Sequence, residues 1–176
     1  MSDDLRYPIG KYRHEGDVTD PDLIEWIEQM EELPAQMRGA VAALDDEQLD
    51  TRYRPGGWTI RQVVHHVPDS HLNGYVRFKW TLTEDEPLIK AYHEDRWAEL
   101  PDTPVVPVEA SLDLLTALQA KWIMLIRSLS REQLGRRFKH PETGTMMELA
   151  WMVGLYAWHG RHHLAHIQST VTREGW

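Results

Sequence analysis

The spacing of apolar residues constrains the fold of this chain more than any other feature of its sequence. Apolar side chains recur every three or four residues, the spacing of one helical face, over residues 20–44, 59–83, 111–129 and 145–173. No stretch alternates between apolar and polar residues as a half-buried strand does. The connection over residues 84–108 contains four prolines and is long enough to cross over a bundle. The pattern predicts an all-α fold, a four-helix bundle with a long crossover connection between helices two and three.

Capping residues and prolines indicate where the predicted helices begin and bend. Asp20 and Thr59 are good N-caps for the first and second helices, because each side chain can accept a hydrogen bond from a free backbone N–H. Pro34 and Pro68 fall inside the same two helices and are expected to break or kink them. Residues 145–148 have the capping-box pattern and predict the start of the fourth helix.

Composition excludes several classes of function. The chain has 176 residues and no cysteine, which fits a single domain over residues 1–176 with a polar arm at 1–19 and excludes a disulfide scaffold or a thiolate site. Acidic residues outnumber basic ones by 28 to 19 and no basic patch is present, so we expect no nucleic-acid partner. The longest apolar run, 149–158, is too short for a membrane helix, and no signal-peptide pattern precedes it. We therefore expect a cytoplasmic protein without membrane contact.

Histidine is the residue type that points to chemistry. Seven of the ten histidines fall within two of the predicted helices. The second helix carries His65, His66 and His71, and the fourth carries His159, His162, His163 and His166. The four on the last helix share one face at about 100° per residue, and the same face is apolar toward the beginning of that helix. We therefore expect these four side chains to point into the bundle.

Histidines one helical turn apart can bind a single metal ion, because imidazoles at positions i and i+4 lie side by side. A third histidine from another helix would complete a site with open coordination positions, which is typical of catalytic metal sites. Histidines that only fill the core are the alternative. The spacing leaves the ligands open, because His159 with His163 and His162 with His166 are equally good pairs. On the second helix, apolar periodicity favours His71 as the third ligand.

Two segments of the sequence resemble the DinB/YfiT superfamily. They are residues 58–71, WTIRQVVHHVPDSH, and residues 156–166, YAWHGRHHLAH. The segments at 7–12, YPIGKY, and 53–58, YRPGGW, resemble the YfiT branch in particular. The likeness runs over nearly the whole chain. Pro68 departs from the family pattern, which has alanine or a similar residue at this position.

The resemblance implies a four-helix bundle that binds one divalent metal ion, most often zinc and in some members nickel. It implies three histidine ligands, namely His66 on the second helix and the i, i+4 pair His159 and His163 on the last. It also implies a homodimer. Periodicity and resemblance therefore differ on the ligand from the second helix, since periodicity favours His71.

Members of the superfamily that resemble this chain are described as metal-dependent hydrolases, which implies a hydrolase acting on a small-molecule substrate. Three neutral imidazoles leave room at the ion for a water molecule, and the ion lowers the pKa of that water. Related bundles are S-transferases that use a low-molecular-weight thiol such as bacillithiol, and a chain without cysteine would take this thiol from a co-substrate. A non-catalytic metal-binding or interaction bundle is the alternative of another class, with His71 or His162 closing the site as a fourth ligand.

Further side chains near the predicted ligands are candidates for catalysis. Asp69 follows His66 by three residues and can orient a ligand, although a surface salt bridge is an equal alternative. His71, His162 and His166 are candidate general acids, general bases or substrate contacts, because histidine titrates near neutral pH. Each of them can equally be a core histidine. Arg77 is a candidate for an anionic substrate group, with an ordinary surface position as the alternative.

Overall fold

The computed structural model describes residues 5–141 and 143–176 and confirms the predicted helical bundle. In chain order, its elements are α1 (Asp20–Val41), α2 (Asp46–Leu49), α3 (Ile60–Thr83), α4 (Glu94–Trp97), α5 (Val108–Arg127), α6 (Arg131–Leu134), β1 (Arg137–Lys139), β2 (Met146–Glu148) and α7 (Leu149–Glu174). The long helices α1, α3, α5 and α7 pack together, and the long crossover connects α3 to α5. Among the described residues, no helix is long and apolar enough to cross a membrane.

Capping residues begin α1 and α3, but one of the two predicted caps was wrong. Thr59 caps α3 as predicted, whereas the N-cap of α1 is Thr19 and not Asp20. The Thr19 hydroxyl accepts a hydrogen bond from the Asp22 N–H at 3.4 Å, and the Asp22 carboxylate accepts one from the Thr19 N–H at 2.8 Å. This reciprocal pair satisfies two backbone donors, so Asp20 becomes the first residue inside the helix.

Neither internal proline breaks its helix. Pro34 lies within the continuous helix α1, and Pro68 lies within the continuous helix α3. A proline removes one backbone N–H and leaves the other helical hydrogen bonds in place. Both prolines are buried, so packing against the neighbouring helices holds the chain in helical conformation.

A small hairpin, and not a capping box, precedes the last helix. Residues 146–148 form β2, which pairs antiparallel with β1 and places Met147 opposite Phe138. Helix α7 therefore begins at Leu149, and its N-cap Glu148 makes no capping hydrogen bond with its side chain. Strands of three residues are too short to show alternation in the sequence, which explains why the hairpin was not predicted.

Two apolar clusters fill the bundle, one toward each end. The first contains Phe78 of α3 and Met152 of α7, and the second contains Ile60 of α3 and Ile167 of α7. This pairing shows that α3 and α7 run antiparallel, and the histidines of both helices fall between the paired residues in sequence. All of these histidines except His65 form a histidine layer between the two clusters, which consists of His66, His71, His159, His162, His163 and His166.

Candidate metal centre

Three histidine side chains converge between α3 and α7. One ring nitrogen from each of His66, His159 and His163 lies within 4.8 Å of the others. The Nε2 atoms of His66 and His159 are 3.2 Å apart. Tetrahedral zinc binds imidazole nitrogens at about 2.0–2.1 Å, which separates two such ligands by about 3.3 Å. The separation of the His66 and His159 nitrogens therefore fits a single ion of this size, and the His163 nitrogen lies within 4.8 Å of both.

The local fold explains why these rings meet. His159 and His163 are one turn apart on α7 and project from the same face. Gly160 allows α7 to approach α1 closely, because a Cβ at this position would overlap the side chain of Leu33. Trp58, in the loop before α3, packs its ring 4.5 Å from that of His66 and 6.1 Å from that of His163. The indole thus holds two of the three imidazoles in place.

Burial keeps the three rings uncharged, as metal ligation requires. Burial lowers the pKa of His66 to about 3, with a smaller contribution from His162. Burial also lowers the pKa values of His159 and His163 well below the usual range, and neighbouring imidazoles lower them further. All three rings are therefore neutral at pH 7 and offer nitrogen lone pairs. The donor set and its charge state fit a divalent transition metal.

His71 lies behind one member of this group and does not belong to it. Its ring is fully buried, as the apolar periodicity predicts. Its Nε2 atom is 3.4 Å from Nδ1 of His159, and its Nδ1 atom is 2.8 Å from the side-chain amide of Gln119. The structure thus places His71 in contact with the back of the His159 ring and brings His66 to the point where the three nitrogens converge.

His162 and His166 lie on the other side of the group. The His162 ring stacks on Trp158 at 4.6 Å, and its buried Nδ1 has no hydrogen-bond partner among the described residues. His166 Nδ1 is 3.4 Å from His163 Nδ1, and His166 Nε2 is 3.2 Å from the backbone oxygen of Arg6. Burial lowers the pKa of both His162 and His166 to about 4. Both rings are therefore neutral at pH 7.

A cavity of about 460 Å³ opens beside the three converging nitrogens. The arm before α1 contributes Arg6 and Tyr7 to its wall, and the loop before α3 contributes Arg54 and Trp58. The crossover adds an opposite wall that includes Tyr92, and the rings of His162 and His166 also line the space. The cavity gives a small molecule access to the site.

Asp69 and Arg77 lie away from this cavity. Asp69 does not line it, and burial raises the pKa of its carboxyl to about 6, with Asp102 in the crossover raising it further. Arg77 does not line the cavity either, and its guanidinium donates a hydrogen bond to the backbone oxygen of Lys90 at 3.2 Å. The structure therefore brings His66, His159 and His163 together and keeps these two side chains apart from them.

Ser70 and Tyr92 line the cavity but were not among the candidate site residues predicted from the sequence. The Ser70 hydroxyl lies 3.4 Å from Nε2 of His159, and the half-buried Tyr92 ring comes from the crossover. Ser70 follows His66 by four residues, so the i, i+4 spacing on one helical face was a usable signal. Tyr92 lies in an irregular proline-rich connection, where no periodicity predicts the direction of a side chain.

Comparison with known proteins assigns the family. Residues 29–167 match the model of the DinB superfamily. The chain belongs to the DinB superfamily. Among relatives of this DinB protein, one from Bacillus cereus (strain 03BB102) is 53% identical over 173 residues, which cover 98% of this chain and 99% of the relative. A relative from Bacillus anthracis (strain CDC 684 / NRRL 3495) is 52% identical over the same length. Both are named "Putative metal-dependent hydrolase".

Two solved structures have folds similar to that of this DinB protein. YfiT from Bacillus subtilis, described as "a probable metal-dependent hydrolase with an unusual four-helix bundle topology", superposes with a TM-score of 0.96 at 46% identity and covers 98% of this chain and 99% of its own. A mycothiol-dependent maleylpyruvate isomerase superposes with a TM-score of 0.59 at 15% identity, over 80% of this chain and 60% of its own. The second likeness concerns the fold alone.

Proposed function

We propose that this DinB superfamily protein is a metal-dependent hydrolase that holds one divalent ion through His66, His159 and His163. The observation that carries the proposal is the convergence of three neutral imidazole nitrogens at the wall of a cavity. Full-length relatives named as metal-dependent hydrolases support the same assignment. We propose zinc as the metal and nickel as the alternative, since imidazole nitrogen suits both ions.

The ion and the protein would share the chemistry. With three protein ligands, a bound divalent ion keeps a coordination position open and supplies the Lewis acidity that activates water or polarises a substrate oxygen. The Ser70 hydroxyl, beside His159 Nε2, can orient a group at this point by hydrogen bonding. His162 lines the cavity, and its ring can accept or release a proton there; its buried Nδ1 has no hydrogen-bond partner among the described residues.

The cavity indicates the size of the substrate. A volume of about 460 Å³ lies within the usual range of small-molecule sites. The aromatic rings of Trp58 and Trp158 line the same space and would exclude water from a bound substrate. We therefore propose a small-molecule substrate. The homodimer implied by the resemblance stays a prediction.

Metal content tests the ligand assignment directly. In protein purified without a histidine tag or added metal, plasma mass spectrometry should find about one zinc or nickel ion per chain. His66→Ala, His159→Ala and His163→Ala should each abolish this content. Two control variants should retain it, namely His93→Ala at an exposed position and His65→Ala at a buried position outside the site. Equal metal content in all five variants would contradict the assignment.

Substrate consumption tests the reaction class. A panel of small esters, amides and haloaromatics should be consumed in the presence of metal and without any thiol, and the hydroxyl of the product should come from water. The His163→Ala variant should lose this activity. Consumption that requires an added low-molecular-weight thiol would overturn hydrolysis and support the S-transferase alternative.

A further inference from the structure

A chain of buried polar side chains leads from α5 to the converging nitrogens. The side-chain amide of Gln119 lies 2.8 Å from Nδ1 of His71. Nε2 of His71 lies 3.4 Å from Nδ1 of His159, and Nε2 of His159 lies 3.2 Å from Nε2 of His66. Gln119 and His71 are at most 1% exposed, so solvent does not supply alternative partners at that end of the chain.

The hydrogen bonds of this chain have a direction. With the Gln119 nitrogen toward His71, Nδ1 of His71 must accept, because an amide nitrogen only donates, and the His71 proton is then on Nε2. That proton is donated to Nδ1 of His159, which places the proton of His159 on its own Nε2. There His66 Nε2 at 3.2 Å and the Ser70 hydroxyl at 3.4 Å can accept it. In this direction every ring is neutral and the chain ends at His66.

A metal ion requires the opposite direction. Binding through Nε2 of His159 needs a lone pair on that atom, so the ring proton must be on Nδ1 and must be donated to Nε2 of His71. The His71 proton is then on Nδ1 and needs an acceptor at Gln119. The Gln119 oxygen is buried and has no hydrogen-bond partner among the described residues. An amide fills nearly the same space when its oxygen and nitrogen exchange places, so this oxygen can take the position next to His71.

The neighbouring ligand His163 has no such choice of direction. His166 Nε2 faces the backbone oxygen of Arg6, which only accepts, so the His166 proton is on Nε2. Nδ1 of His166 then accepts from Nδ1 of His163, and Nε2 of His163 keeps its lone pair. The backbone oxygen of Arg6 fixes His163 in the form that can offer Nε2 to a metal, whereas the amide of Gln119 permits both forms of His159.

We propose that His71 and Gln119 are positioning residues of the metal site and that their hydrogen-bond chain reverses direction when His159 binds the ion. The Gln119 amide turns over, its oxygen accepts a hydrogen bond from Nδ1 of His71, and Nε2 of His71 accepts one from Nδ1 of His159. Nε2 of His159 gives its proton to water in the cavity, the Nε2 proton of His71 passes to Nδ1 of His159, and one proton from water replaces it on Nδ1 of His71. Each ring carries one proton before and after the reversal, so the net charge of the chain does not change. This inference rests on the proposed metal site.

The chemistry of glutamine suits this position. Its amide can end the chain as a donor in one direction and as an acceptor in the other. A glutamate would only accept, which favours the metal-binding direction, and a methionine of similar shape would neither donate nor accept strongly. Removing a side chain that hydrogen-bonds to a metal ligand typically lowers metal affinity by about 10–100-fold.

Zinc affinity, measured by competition with a chromophoric chelator, tests the role of Gln119. We expect Gln119→Met to bind zinc about 10–100-fold more weakly than the wild type. Gln119→Glu should recover most of this loss, because the carboxylate accepts from His71. Ser111→Ala serves as the matched control, since it removes a hydrogen bond from the buried His65 outside the site and should leave zinc affinity unchanged. Wild-type affinity in Gln119→Met would overturn the proposal.

Long-range proton–nitrogen correlation spectra of the imidazole rings test the reversal itself, with a signature that a merely structural role would not change. In metal-free wild type we expect the His71 and His159 protons on Nε2, and in zinc-loaded protein on Nδ1. The His163 proton should be on Nδ1 in both states. Zinc binding without a change in the His71 tautomer would overturn the reversal alone, whereas a wild type that binds no zinc would overturn the proposed metal site as well.

Discussion

The histidine layer and the apolar cluster around Phe78 both lie inside the bundle, but they stabilise the fold in different ways. Phe78 and His71 are each 0% exposed. Burial of an apolar side chain stabilises the folded state at every pH, by about 1.5–3 kcal/mol. A buried imidazole is compatible with the fold only while it is neutral and hydrogen-bonded, because burying an unpaired charge is strongly unfavourable. Stability from the layer therefore depends on pH, and stability from the cluster does not.

Acid unfolding of the metal-free protein should show the largest effect of this difference. Burial lowers the pKa of every ring in the layer, to about 3 for His66 and His71, to about 4 for His162 and His166, and well below the usual range for His159 and His163. The unfolded chain binds protons near pH 6.5, so stability is present above that pH and is lost as pH falls. Each ring contributes up to about 1.4 kcal/mol per pH unit. We expect the free energy of unfolding, measured by urea titration followed by circular dichroism with a chelator present, to fall by several kcal/mol between pH 7 and pH 5.

One acidic group acts in the opposite sense and provides an internal check. The pKa of Asp69 is raised to about 6, so the folded state binds its proton more readily than the unfolded state does. Between pH 4 and pH 6 this group alone would destabilise the fold as pH rises. Its contribution to the pH dependence of stability offsets that of about one histidine. Asp69→Asn should therefore steepen the loss of stability between pH 6 and pH 5. A stability that stays constant from pH 7 to pH 5 would contradict the description of the layer as buried and neutral.

Truncation within the apolar cluster should give a smaller effect that is independent of pH. Phe78→Ala removes a fully buried ring that packs 5.2 Å from Trp122, and it should lower the free energy of unfolding by about 3–5 kcal/mol. The same urea titration should show an equal loss at pH 7 and pH 6, because no titrating group is removed. A loss that changes between these two pH values would show that the cluster and the layer are energetically coupled.

The apolar cluster was predictable from sequence because packing follows helical periodicity. The predicted window 111–129 corresponds to α5, which begins three residues earlier at Val108. Local hydrogen bonds were harder to predict. The N-cap of α1 is Thr19 because its partner Asp22 closes a reciprocal pair, and residues 145–148 satisfy a capping-box pattern although three of them pair with β1. Here tertiary pairing outweighs the local signal.

The histidine layer was only partly predictable, because periodicity gives the direction of a side chain but not its partner. Helical spacing predicts that the four histidines of α7 point inward, and all are buried except His159, which is half-buried. It does not distinguish the pair His159 and His163 from His162 and His166, since that choice depends on which pair faces α3. The resemblance implied the group that the structure brings together. The partners Gln119 and Arg6 come from distant elements and left no signal in the sequence.

The smallest predicted effect concerns a buried histidine outside the layer. His65 lies on α3 beside His66 in sequence, but its Nδ1 atom is 2.7 Å from the Ser111 hydroxyl of α5 and its ring is not among the three converging nitrogens. Ser111→Ala removes this partner and should lower the free energy of unfolding by about 1 kcal/mol at pH 7. Zinc content should remain that of the wild type, because the hydrogen-bond chain to His159 is intact. A loss of zinc in Ser111→Ala would show that His65 supports the site through its neighbour His66 on α3. His65 would then belong to the histidine layer and not to the rest of the core.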